Sequence, residues 1–300
     1  MIVILALWLA AFAPQPPDAQ QMFATPEAAV TALIEATRAG DLDKLVSLFG
    51  PEGRDLVASS DPATGKRNRQ TFLAAVAEGW RVADRRPSGK ELIVGNESWP
   101  FPIPLVQKGG AWRFDTAAGL EEVLARRIGR NELAAIRVCT VYVDAQRIYA
   151  TQGHDGKPPG LYARRINSDP GTENGLYWAP QSGKRRSPLG EMAAAAAHDH
   201  AATVAGRGKP TPFYGYYFRI LEGQGTHAPG GAKSYLAKEE LFRGFALVAW
   251  PAEYDVTGVM TFIVSDAGVV HEKDLGPDTA ALAAAIARYD PDSTWRKVEP

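Results

Sequence analysis

The chain has 300 residues, 45% hydrophobic and 22% charged, with 33 Lys+Arg against 34 Asp+Glu and a formal net charge of -1. This length exceeds an average domain of about 100–200 residues, so two domains are expected, and the composition excludes a chain disordered throughout or built of membrane spans. The balanced charge leaves no basic excess for a polyanion, so no nucleic-acid partner is expected, and a single cysteine, Cys139, excludes an intrachain disulfide.

At the start, "MIVILALWLAAFAPQPPDAQ" carries an unbroken apolar stretch from Ile2 to Ala13. It falls within the about 7–15 residues of a secretory signal peptide and short of the roughly 20 needed to span a bilayer. Residues 1–22 are therefore read as a signal-like segment and Pro-rich connector. The expectation is an exported protein, periplasmic or extracellular, with no membrane span once the signal is removed.

Next, "FATPEAAVTALIEATRAGDLDKLVSLF" opens with Thr25 as N-cap and Pro26 at the first helical position. Gly40 stops that helix and Asp41 caps a second, shorter one. A third helical stretch, Gln70 to Gly79, precedes the strand-like "ELIVGNESWPFPIPLVQKGGAWRFDT", in which Gly109-Gly110 signals a hairpin. This order of elements resembles the small cystatin-like α+β domains of the nuclear-transport-factor-two-like superfamily, over roughly Phe23 to Thr116. The resemblance implies a curved sheet and helices around a cone-shaped pocket. Trp80, Trp99 and Trp112 are the residues proposed to line it, although large aromatics are more often core.

From Thr116 the chain runs "AAGLEEVLARRIGRNELAAIRVCTVYVDAQRIYA" at helical spacing. Gly129 is expected to mark a break or a close contact. Ile128, Ala135, Cys139, Tyr142, Ala145 and Tyr149 share one stripe, so the segment reads as an amphipathic beam with Cys139 on its buried side. A thiol there is inert, because nucleophilicity needs an exposed thiolate.

The following "QGHDGKPPGLYARRINSDPGTENGLYWAPQSGKRRSPLGE" is a Gly/Pro-rich loop carrying Tyr162, Tyr177 and Trp178, taken as an interaction surface. An Ala-rich helix is predicted over 191–206. Strands are predicted in "FYGYYFRIL", "GFALVAWP", "GVMTFIVS" and "GVVHEKDLG", and a final helix in "PDTAALAAAIARYD".

No nucleophile elbow, phosphate loop, zinc-helix or paired-cysteine motif occurs, so no catalytic residue, metal ligand or cofactor is assigned. His198 and His200 are two residues apart and point away from each other on a helix, so they cannot share an ion.

The blocks "RRIGRNELAAIRVCTVYVDAQRIYA", "GLYWAPQSGKRRSPLG", "YGYYFRILEGQGTHAPGGA" and "YDPDSTWRKV" together resemble an uncharacterised bacterial envelope family, domain of unknown function 2950. "NELAAI" and "DAQRIYA" are also similar to type IV pilin and pseudopilin stems, although this helix is internal. The resulting expectation is α+β throughout. Residues 23–116 form the cystatin-like domain, and residues 117–300 form a pilin-like domain with a long helix and an antiparallel sheet. The function expected is non-enzymatic binding of an envelope protein, an envelope surface or a small ligand. The alternative is a hydrolase or metal-dependent enzyme whose site gathers His154, Asp155, His200 and His271.

Overall fold

Thr25 does cap the first helix. Its Oγ1 accepts from the Ala28 N–H at 3.1 Å, and α1, Pro26–Ala39, ends at Gly40 with φ +67°. The computed structural model describes residues 20–57, 62–180, 182, 185–190 and 212–299. The signal-like start and the Ala-rich stretch with His198 and His200 lie outside them. The chain is α+β and divides into two compact units, one through Ala125 and one from Arg126.

In the first unit, α2 (Leu42–Phe49) is capped by Asp41, and α3 (Arg54–Val57) and α4 (Pro62–Glu78) follow. The strands are β1 (Trp80–Asp84), β2 (Lys90–Val94), β3 (Trp99–Pro100), β4 (Leu105–Lys108) and β5 (Ala111–Phe114). They form an antiparallel sheet in the order β1-β2-β4-β5, with β3 beside β2. Gly109 and Gly110 have φ of +60° and +83° and make the tight hairpin that the sequence predicts. Ala29, Val30 and Leu33 of α1 meet Leu48 and Phe49 of α2 and Leu92, Leu105 and Phe114 of the sheet in one core.

Helix α5, Thr116–Ala150, starts in the first unit and ends in the second. Gly129 neither breaks it nor makes a close contact, since a Cβ built there would meet nothing within 4 Å. Gly119 is the glycine that does: a Cβ would stand 2.7 Å from Ile103 Cγ1.

In the second unit, β6 (Tyr216–Leu221), β11 (Ala246–Pro251), β12 (Met260–Ser265), β13 (Val270–Asp274) and β14 (Arg296–Lys297) form an antiparallel sheet in the order β14-β13-β12-β11-β6. The short pairs β7 (Gly223–Gln224) with β8 (Lys233–Ser234), and β9 (Leu236–Ala237) with β10 (Glu240–Leu241), lie between β6 and β11 in sequence. Alternation along β11 sends Leu247 and Ala249 toward the stripe Ala135, Cys139, Tyr142 and Tyr149 of α5, and Ala246 and Val248 toward Tyr235, Leu241 and Tyr289 on the other face. The segment with the only cysteine is thus a beam under the sheet.

Two polar residues fix that beam. Glu132 Oε1 accepts from the Val259 and Met260 N–H groups at 2.9 Å each, and Asn131 Nδ2 donates to Thr257 O at 2.9 Å. Helix α6 (Thr279–Ala285) is shorter than predicted. Ile286 turns extended, and Arg219 donates to the terminal carbonyls of Ala283 and Ile286. No helix among the described residues is long and apolar enough to cross a membrane.

Candidate functional site

Where α5 ends, the helix hands the chain to the Gly/Pro-rich loop, and a side chain pins the junction. Gln146, fully buried, donates from Nε2 to Ala163 O at 2.8 Å and accepts the Ala163 N–H on Oε1 at 2.8 Å. Its amide thus pairs with both backbone groups of one loop residue, as a neighbouring strand would. One turn later, Tyr149 stacks on His154 with ring centroids 3.8 Å apart. The His154 ring faces the Tyr149 carbonyl through Nε2 at 3.0 Å and the Glu173 carboxylate through Nδ1 at 3.2 Å. Each ring nitrogen meets an acceptor within the fold, so His154 ties the helix end to the loop and offers neither nitrogen to a ligand.

Beside this junction lies a cleft of about 590 Å³, lined by Tyr149, Gln152, His154, Asp155, Lys157, Tyr162, Arg164, Arg165, Asn174, Glu222 and Glu240 among others. Its charges are matched in pairs. Arg164 donates to Glu222 Oε1 from Nε and Nη2 at 2.8 and 2.6 Å, and Lys157 Nζ meets Glu240 Oε1 at 2.6 Å. Arg164 Nη1 also holds Glu239 O at 2.7 Å, which braces the β9–β10 turn, where Lys238 and Glu239 both have positive φ. Burial, followed by the Asp155, Glu240 and Glu173 carboxylates, pushes the Tyr149 hydroxyl up to about 12. That hydroxyl donates to Glu173 O at 3.0 Å.

Of the aromatic loop residues singled out from sequence, Tyr162 lines the cleft, with its ring 4.8 Å from Phe245. Tyr177 is half-buried, and its backbone bonds to Ile166 and Ser168. Trp178 is a core side chain whose indole N–H donates to Arg185 O at 3.0 Å. In the first unit, Trp80 and Trp99 both pair with Val94, so they share one sheet face and are exposed there. Trp112 lies on that face too. The register through Lys90, Leu105 and Phe114 places it six strand positions from Val94, about 20 Å at the rise of a strand. Trp80 and Trp99 thus flank Val94 from either side of β2, and Trp112 stands farther along the sheet.

Of the described histidines, His154 alone lines the cleft. His227 contacts Asp290, and His271 contacts Tyr289. Among the described residues, no group of three or more His, Cys, Asp or Glu is placed to hold a metal ion. Cys139 is fully buried, and burial pushes its thiol up to about 12.

A family model described as "protein of unknown function", DUF2950, matches residues 20–298. The chain belongs to this family. No curated protein and no solved structure matches it. The DUF2950 match takes in both compact units and every residue that lines the cleft. Sequence reasoning pointed to the loop but missed Arg164, Glu222 and Glu240. Their pairing spans 58 and 83 residues and leaves no spacing to read.

Proposed function

We propose that this DUF2950 chain is an exported envelope protein that acts by binding, and that it binds through the cleft beside the end of α5. The observation that carries this reading is the state of the cleft's reactive groups. It is large enough for a ligand, yet its Lys and Arg are held by carboxylates and its histidine has both nitrogens engaged within the fold. The amine, guanidinium and imidazole therefore offer no free lone pair as base or nucleophile, and Glu222 and Glu240 each have one oxygen held by a cation. A polar surface with fixed groups serves recognition. The signal-like Ile2 to Ala13 stretch supports export. The order of elements supports a cystatin-like reading of the first unit, and a long helix under an antiparallel sheet supports a pilin-like reading of the second.

Two measurements test the proposal. A reporter active only outside the cytoplasm, fused after residue 22, should show activity; a silent fusion would refute export. Amide chemical shifts of Asp155, Lys157, Arg164 and Glu240, followed while envelope extracts are titrated into the purified protein, should move together and saturate. Specific turnover of an added substrate, abolished by one substitution in the cleft, would refute the binding-only reading.

A further inference from the structure

We propose that the cleft recognises a neutral carbohydrate, a short oligosaccharide lying with one ring face on Phe242. The inference rests on the binding reading above and adds the ligand class.

Charge comes first. Lys157, Arg164 and Arg165 stand with Asp155, Glu222 and Glu240 in the lining, so the cleft has no net field to select an ion. An anionic or cationic ligand would sit beside a charge of its own sign, the Glu222 carboxylate next to Arg164 or the Lys157 amine next to Glu240. A neutral ligand would not be repelled, and the pairs retain bonding capacity. Both Arg164 bonds fall on Glu222 Oε1, and Lys157 falls on Glu240 Oε1, so each carboxylate keeps a second oxygen to accept with. Arg164 uses three of its five N–H donors on Glu222 and Glu239. Donors and acceptors side by side match a group that both gives and takes a hydrogen bond, which is the hydroxyl.

The second observation is apolar and independent. Phe242 is 57% exposed. It follows the end of β10 directly, two residues after Glu240, which lines the cleft. A Cβ on Gly160 would meet Phe242 Cε2 at 3.9 Å, which places the ring against the turn that supplies Pro158 and Leu161 to the lining. An exposed aromatic ring against the Gly160 turn, beside a hydroxyl-matching cleft, fits a ligand with an apolar face and a polar edge. A pyranose has both, with C–H groups that pack on the electron-rich ring face. The volume of about 590 Å³ lies within the usual range of small-molecule sites.

The test is titration calorimetry of the purified chain with triacetylchitotriose, maltotriose and the zwitterionic peptide tetra-alanine. Expected is saturable binding of at least one oligosaccharide, weakened about tenfold by Phe242→Ala and by Glu240→Gln. Leu282→Ala, exposed on α6 and outside the lining, should leave it unchanged. Unchanged unfolding midpoints in the variants separate lost binding from lost fold. Tetra-alanine binding that Phe242→Ala abolishes, with neither oligosaccharide bound, overturns the carbohydrate class and leaves the binding reading standing. Oligosaccharide binding indifferent to both cleft variants overturns the site. Binding followed by new reducing ends overturns the non-enzymatic reading but keeps the ligand class. No heat with any probe and no shift at cleft amides overturns both.

Discussion

Glycine 129 and glycine 258 look alike in sequence and stand in opposite surroundings. A methyl at 129 meets only open space within helix α5, whereas one at 258 collides with the Tyr216 hydroxyl, which donates to Met260 O at 3.0 Å. Gly129→Ala should therefore stabilise the protein by about 0.5–1 kcal/mol, through helix propensity and a less free unfolded chain. Gly258→Ala should destabilise it by about 3 kcal/mol, because backbone or ring must shift. Urea midpoints of the two variants should move in opposite directions. Cys139 gives a second check at this scale. With its thiol buried and pushed up to about 12, Ellman's reagent should find no reactive thiol in the native protein at neutral pH. One thiol per chain should appear in denaturant, and a native thiol that reacts at the unfolded rate would contradict the packing.

Helix α5 supplies one wall of the second unit's core through Ala135, Cys139, Tyr142, Val143, Ala145 and Tyr149. A fragment of residues 126–300 should keep the fold, with near-ultraviolet dichroism and a cooperative unfolding transition. A fragment of 151–300 should lose both, because the sheet would expose that whole apolar face to water. Elements of this kind were legible in the sequence. The stripe of α5 has a 3.6-residue period, and β6, β11, β12 and β13 are long enough for alternation and turn residues to mark them. The pairs β7–β8 and β9–β10 were not legible, since two residues carry no period. Their place depends on distant partners, such as Gln224 donating to Pro229 O and Gly231 O across the loop it closes. The cleft divides in the same way. Tyr162 sat in a segment whose Gly and Pro content announced a loop, while Glu222 and Glu240 become cleft residues only when the fold delivers them to Arg164 and Lys157.

Across the molecule, one pattern links stability to pH. Burial raises the hydroxyl pKa of Tyr142, Tyr149, Tyr216 and Tyr235 above the ordinary value. These groups stay protonated in the folded chain after they ionise in the unfolded one. Their contribution is complete below the unfolded value of about 10 and is lost as pH rises beyond it. Unfolding free energy should therefore fall above about pH 10, by up to about 1.4 kcal/mol per pH unit for each such tyrosine. Urea titrations at increasing pH, with tyrosinate absorbance as the monitor, should show native and unfolded chains ionising at different pH values; coincident curves would contradict the burial. The pinned loop has a further consequence. Gln146 holds Ala163, and the bonds Leu176 N–H to Arg165 O and Tyr177 N–H to Ile166 O close the base of the stretch that follows. Residues 169–174, which include the rim residues Thr172 and Asn174, hang from that closed base. Glu173 ties the far side of this stretch to His154 Nδ1 and to the Tyr149 hydroxyl, so residues 170–172 are the part whose composition can change while the anchors stay put, and the rim can vary there.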